Sequence, residues 1–207
     1  LNLSFGTCSA WTTAYNKDSN SVSLNPVFAG ANLSIPLSAT FNDLGTPYGG
    51  IATDINGISR NTTTPDMGAF EFTPSPNDVG VVALVSPVSG CGLGTALSVG
   101  VRLVNFGTVA QSNFGLAYTL GGGAPVAGTF AGTINPGDTA LFTFTGSVNL
   151  ATPGTYNFSA YTTLGSDGQN LNDTVTVSVL SVPLIGTMPY YEDFEASTGG
   201  WSSYGAN

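Results

Sequence analysis

The chain contains no histidine. Ser-His-Asp and Cys-His nucleophilic sites therefore cannot be assembled from it, nor can a zinc site with imidazole ligands. Cys8 and Cys91 are the only cysteines, too few for a four-thiolate zinc site. They either close one long loop or stay as separate thiols, and their count leaves the redox compartment open. What remains for chemistry is carboxylate. Glycoside hydrolysis needs two carboxyl groups facing one sugar. Asp54, Asp66 and Glu71 are the candidates, but they sit in "TDINGISR" (53–60) and "PDMGAFEF" (65–72), turn-rich runs without a flanking aromatic platform. They are expected to accept hydrogen bonds from turns, and no catalytic or cofactor-binding residue is assigned.

Other short patterns have a chemical and a plain reading. "GCGLG" (90–94) is glycine-rich like a phosphate loop, yet no helix follows to supply the N–H groups that hold phosphate. It reads as a loop. "DING" (54–57) carries one carboxylate, whereas calcium takes six to eight oxygens, so Asn56-Gly57 is expected at a tight turn. Phe5, Trp11, Tyr15 and Phe28 offer rings for stacking on sugar, but in a low-charge β-protein they are expected in the core. Asn61-Thr62-Thr63 matters as a glycan acceptor only in a eukaryotic secretory route.

These residues are carried by a chain of 207 residues with 42% hydrophobic and only 7% charged positions, against ~25% charged in a typical soluble domain. Gly, Ser, Thr and Asn fill the difference. That composition suits strands and turns and lacks the Ala, Glu, Lys and Leu of helices, so an all-β protein is expected. Three basic residues (Lys17, Arg60, Arg102) against twelve acidic ones give a net charge of −9. This excludes a phosphate-binding groove for nucleic acid and disfavours an anionic membrane. The apolar runs, "VGVVALV" (79–85) among them, fall short of the ~20 residues of a membrane-spanning helix. The chain lacks a start methionine and reads as a piece of a longer protein, with the neighbouring domains of that chain as its first partners.

Three segments are expected. Residues 1–74 hold short β-like runs ("LNLSFG", "NPVFAG", "NLSIPL", "ATFNDLG") broken by Asn, Pro and Gly, which would bury one face by stacking on preceding coils. Residues 75–77 lie in the run "TPSPND" (73–78), whose two prolines favour an extended, semi-rigid linker. Residues 78–183 form the second unit, with strands expected at 78–85, 95–105, 111–120, 124–134, 138–147, 154–164 and 173–182. Leu97, Val99, Val101 and Leu103 alternate on one face, as do Phe142 and Phe144, and Val175, Val177 and Val179; Tyr156, Phe158 and Tyr161 require a bulge. About seven short strands fit an immunoglobulin-like sandwich. Residues 184–207 form a linker and the first strand of a truncated third unit.

Three resemblances add to this. "NPVF" (25–28), "TDINGISR" (53–60) and "PDMGAFEF" (65–72) together resemble the end of right-handed parallel β-helix proteins secreted by bacteria, with Asn25 in place of Asp and Met67 in place of Ile. The resemblance implies last coils and a cap, in which Met67, Phe70 and Phe72 cover the open apolar end. "NDVGVVALVSP", "VGVRLVNFGT", "INPGD" and "TPGTYNFSAYT" resemble the cell-adhesion-related immunoglobulin-like repeat of bacteria, a family of spacers and binding modules. "YYEDFE…GGW" (190–201) resembles the first strand of cleaved-adhesin and MAM-like jelly rolls. In those jelly rolls an acidic residue near this strand contributes to a structural calcium site, which here points to Asp193 and Glu195 in the intact parent domain. "DTA" (138–140) and "DTV" (173–175) resemble the O-glycosylation sequon of Bacteroidota, making Thr139 and Thr174 candidate acceptors, with ordinary strand-edge threonines as the other reading.

Taken together, the resemblances imply a non-catalytic stalk segment of a large, secreted or surface-anchored bacterial adhesin, exported by the type IX system and contacting surface glycans or proteins. The competing expectations are the non-catalytic C-terminal part of a secreted β-helix lyase or hydrolase, and cargo captured in the export machinery with secretion components as partners. No cofactor beyond the structural calcium is expected.

Overall fold

Alternation of apolar and polar side chains builds strands when one face is buried, and from Asp78 to Val182 that pattern dominates. The structure, a computed structural model, describes residues 41–186 together with Tyr191, Asp193 and Glu195. Eight strands follow in order: β1 Val79–Ser86, β2 Gly90–Cys91, β3 Gly100–Asn105, β4 Gln111–Leu120, β5 Val126–Ile134, β6 Thr139–Thr143, β7 Gly154–Thr162 and β8 Thr174–Val182. No α-helix occurs among the described residues. The strands form a three-stranded sheet ordered β1-β3-β6 and a five-stranded sheet ordered β2-β8-β7-β4-β5. The two face each other as an immunoglobulin-like sandwich.

The core lies between the sheets. Val79, Val81, Val101 and Leu103 come from the smaller sheet, and Leu116, Tyr118, Phe158 and Val179 from the larger; all are buried. Rings interlock at the centre: Tyr118 meets Phe144 edge-on at 4.8 Å, and Phe144 meets Phe142 at 5.0 Å and 86°. Such edge contacts suit the charge distribution of aromatic rings. Gly128 of β5 is required here, because a Cβ at that position would lie 2.7 Å from the Phe142 ring.

The structure departs from the expected strands in four places. The 95–105 strand is regular only from Gly100, although Leu97 still bridges to Val148. Its partner stops at Thr143 rather than 147, because Gly146 turns the chain at φ 97°. β7 pairs with β8 residue for residue from Gly154↔Ser181 to Tyr161↔Thr174, so the bulge expected near Tyr161 is absent. β2, inside the "GCGLG" run expected to be loop, is a two-residue strand running parallel to the end of β8.

The linker is not a free spacer. Ser75 and Pro76 accept hydrogen bonds from Thr108 and Val109, and Asn77 accepts one from Gly168. The Asn77 side chain accepts another from Gln111. The backbone groups that an extended linker would expose to water are instead paired with sandwich loops.

β1 and β8 begin at the same end, where the Thr162 hydroxyl donates to Val79 O and the Thr162 amide donates to Asp173 O. β8 finishes beside Gly92 at the opposite end. The chain thus enters the sandwich at one end and leaves it at the other. Nine residues of strand separate the two by about 30 Å at the usual rise per residue.

Residues 41–74 hold turns and one isolated antiparallel bridge, Thr53↔Ser59, and no parallel coil. The expected coils of residues 1–40, with Cys8, Phe5, Trp11, Tyr15 and Phe28, lie outside the described residues. The expected turn is present: Gly57 has φ 82° and its amide donates to Asp54 O. Met67, Phe70 and Phe72, expected to cover the open end of the last coil, are half-buried, and the coils before residue 41 lie outside the described residues.

Candidate functional site

Two places gather ionisable groups, and each is built by loops. The first is the cap-like segment 41–74. Asp54 Oδ1 accepts the amides of Asn56 and Ile58, both at 2.8 Å, and Oδ2 accepts that of Glu71 at 3.1 Å. Asp66 accepts the amides of Asp43 at 2.7 Å and Phe72 at 2.6 Å, one on each oxygen. Glu71 accepts the amides of Asn61 at 2.8 Å and Asp66 at 3.1 Å. Arg60 donates to the carbonyls of Asp66 and Gly68 and lies 3.5 Å from Glu71 Oε2. The three carboxylates expected to serve as turn acceptors are all found in that role, tying successive turns together.

Their electrostatics follow from this. Desolvation pushes Asp54 up, but the amides of Glu71, Ile58 and Asn56, with the Arg60 charge, outweigh it and hold the group below its ordinary value. At Asp66 desolvation wins over the amides of Phe72 and Asp43, aided by the negative charges of Glu71 and Asp43, and the group is raised. A general acid or base must reach substrate with a free oxygen. Here both oxygens of each of the three carboxylates already accept backbone amides.

A cleft of about 560 Å³ opens beside this network, lined by Pro47, Tyr48, Ile51, Arg60 and Met67 among others. Tyr48 is 77% exposed, and the Arg60 Nε is buried without a partner. The walls are largely apolar, a surface suited to packing against another body.

The second place is where the linker meets the β7–β8 loop. Asp78, 3% exposed, accepts the Asn172 amide at 2.6 Å. Asp167 accepts the amides of Val79 and Gln169, each at 2.8 Å. The Thr162 hydroxyl has one proton for two acceptors, Val79 O at 2.8 Å and Asp173 Oδ1 at 3.2 Å. A proton on Asp173 would satisfy both contacts at once. Desolvation pushes Asp78 up to about 7, opposed by the Asn172 bond and reinforced by the charges of Asp167 and Asp173. Asp173 is raised too, first by desolvation and then by Asp167. Asn172 Oδ1 is buried with no partner. The cluster was not apparent in the sequence. Its bonds join residues 88 and 94 positions apart, and only the two Asp-containing turns "PSPND" and "GSDGQNLND" hinted at it.

The remaining candidates stand apart. Thr139 and Thr174 are exposed at the first positions of β6 and β8, in different sheets. Asp193 and Glu195 are exposed, and the Glu195 amide donates to Asp193 Oδ1 at 3.1 Å. Cys91 is a free, exposed thiol. In "GCGLG", Gly90–Cys91 is strand and Gly92 turns at φ 60°. Among the described residues no three His, Cys, Asp or Glu side chains are grouped so as to hold a metal ion.

No protein-family model and no curated protein matches the chain. Among solved structures, the CARDB domain of the PF1109 protein from Pyrococcus furiosus, in complex with di-metal ions, is 16% identical, with a TM-score of 0.43 over 55% of this chain and 95% of that one. A domain of a candidate cell surface protein from Methanosarcina acetivorans is 15% identical, with a TM-score of 0.42 over 51% and 92%. A β-glucosidase from Listeria innocua, in complex with isofagomine, is 16% identical, with a TM-score of 0.30 over 71% of this chain and 22% of that one. These likenesses are too distant to carry an assignment of family or activity.

Proposed function

We propose that this chain is a non-catalytic stalk segment of a large multi-domain protein displayed on a bacterial surface. One observation carries the reading: the polypeptide enters the sandwich at Val79 and leaves at Val182, at opposite ends. A module threaded in this way adds its own length to a chain of modules. The linker bonds to loops 105–111 and 167–168 support it, because a pinned entry preserves reach better than a free hinge. In the 41–74 segment, Tyr48, Ile51, Ile55 and Ile58 are exposed. Exposed apolar side chains of that kind suit contact with a neighbouring coil of a stacked solenoid.

The parent protein, in this reading, is a Bacteroidota adhesin exported by the type IX system, with neighbouring modules and surface glycans or proteins as partners. Calcium would enter only through Asp193 and Glu195 of a complete following domain, and sugar through Thr139 or Thr174.

The test uses the full-length protein in the bacterium that makes it. Antibodies against this chain should label intact cells at a distance from the envelope, and deleting residues 78–183 should bring the outermost module closer without loss of display. Label confined to the cytoplasm would end the proposal. Polysaccharide cleavage by the parent, abolished by changes upstream of Leu1, would assign the chain to the tail of an enzyme instead.

A further inference from the structure

A sandwich of two open sheets has four edge strands, and edges invite pairing with another chain unless they are short, bulged or charged. Three of the four are protected. β1 carries two register shifts against β3, β2 has two residues, and β6 has five and follows Asp138 directly. The fourth, β5, has one register shift against β4 but is nine residues long and reads "VAGTFAGTI", with no charge and no proline. It pairs with β4 along one side only. Among the described residues its other side has no backbone partner between Ala127 and Thr133. Six of the nine residues of β5, Val126, Ala127, Thr129, Ala131, Gly132 and Thr133, are exposed.

The β5 sequence also matches itself in reverse. About Phe130 as centre, the inward series runs Val126, Gly128, Phe130, Gly132, Ile134. The outward series is Ala127, Thr129, Ala131, Thr133. Laid antiparallel on a second copy between Ala127 and Thr133, Gly128 would oppose Gly132 and every outward Ala would oppose a Thr, while Ile134, whose carbonyl accepts from Asn105, lies beyond the free edge. No pair is charged and none is bulky against bulky except Phe130 at the axis. Two-fold pairing requires such self-complementarity. The net charge of −9 opposes close approach of two copies elsewhere, whereas this edge is neutral. One irregularity limits the contact: opposite Asn113, at φ 53°, β5 places two residues against one of β4. Such a bulge adds local twist, so the interface belongs to the small, transient class below about 1,200 Å².

We infer that β5 is a homotypic docking edge, through which two copies of this chain pair antiparallel about Phe130. On a crowded surface such an edge would join neighbouring stalks side by side.

The experiment uses the whole 207-residue chain. Sedimentation velocity over a wide concentration range should show monomer passing to dimer, and amide NMR shifts that move with concentration should fall on residues 126–134. Thr129 of one copy would face Ala131 of the other, and both are exposed, so changes there should leave the thermal melt intact. Thr129→Lys with Ala131→Lys sets like charges opposite each other and should weaken dimerisation at least tenfold. Thr129→Lys with Ala131→Glu sets opposite charges together and should restore it. A chain that stays monomeric throughout, a dimer whose shifts map to another edge or to the 41–74 segment, or equal loss in both double variants would each overturn the inference.

Discussion

Asp78 is the residue on which the linker end of the sandwich turns. It is buried beside two other aspartates, and among the described residues the two arginines lie elsewhere, Arg60 in the 41–74 segment and Arg102 on the exposed face of β3. Its pKa is raised from 3.8 to about 7, so the folded state holds a proton there that the unfolded state releases at lower pH. The stability this contributes is complete below the unfolded value and is lost as pH rises through about 7. Asp173, also raised, acts in the same sense. The melting temperature should therefore fall between pH 5 and pH 8. Asp78→Asn keeps the shape and needs no proton, and its Oδ1 can still accept from Asn172. It should flatten that dependence and raise stability at pH 8 by about 1–3 kcal/mol, on the scale of about 1.4 kcal/mol per pKa unit. Thermal melts of both proteins across that range check it, and an Asp78→Asn melt that keeps the wild-type slope refutes it. Little of this was legible in the sequence, because Asp78 lies in one turn and Asp167 and Asp173 in another almost ninety residues on, and only folding joins them.

At the scale of elements, Asn105 ends β3 and fastens its neighbours. Fully buried, it donates from Nδ2 to Val109 O and Ile134 O and accepts the Gly107 amide on Oδ1. β3, the turn into β4 and the end of β5 thus share one side chain. Asn105→Ala would strand two carbonyls and an amide, and should cost about 2–4 kcal/mol given about 1–3 kcal/mol for each buried group left unpaired. Chemical denaturation measures it, and a loss below about 1 kcal/mol would show that water replaces the side chain. The strands themselves were legible, since Val99, Val101 and Leu103, or Val175, Val177 and Val179, alternate by twos and such a pattern sits on one face of a sheet. Strand ends were less so. Gly146 cuts the β6 run by adopting positive φ, a choice local to the turn. β2 is held by β8, ninety residues on, and carries no apolar alternation of its own. The 41–74 segment was read through its turns, and Asp54, Asp66 and Glu71 are indeed turn acceptors there. A coil of a parallel β-helix is a different matter, since it exists only through the coil stacked on it, and no parallel pairing is present in 41–74.

At the scale of the whole molecule, among the described residues the side-chain bonds of 41–72 close among themselves, while residues 75–78 bond to the sandwich. The two parts should melt separately in calorimetry, and cleaving the chain at Thr73 should leave the sandwich transition in place. A single transition that survives unchanged only in the uncut chain would show that they stabilise each other.

The threading of the sandwich also decides how it answers a pull. A load applied through Asn77 and Pro183 runs along β1 and β8, whose neighbours β3 and β7 grip them through six and eight paired positions. Tension then acts lengthwise on both ladders, so their hydrogen bonds must give way together instead of peeling open one after another, and the module holds until it fails abruptly.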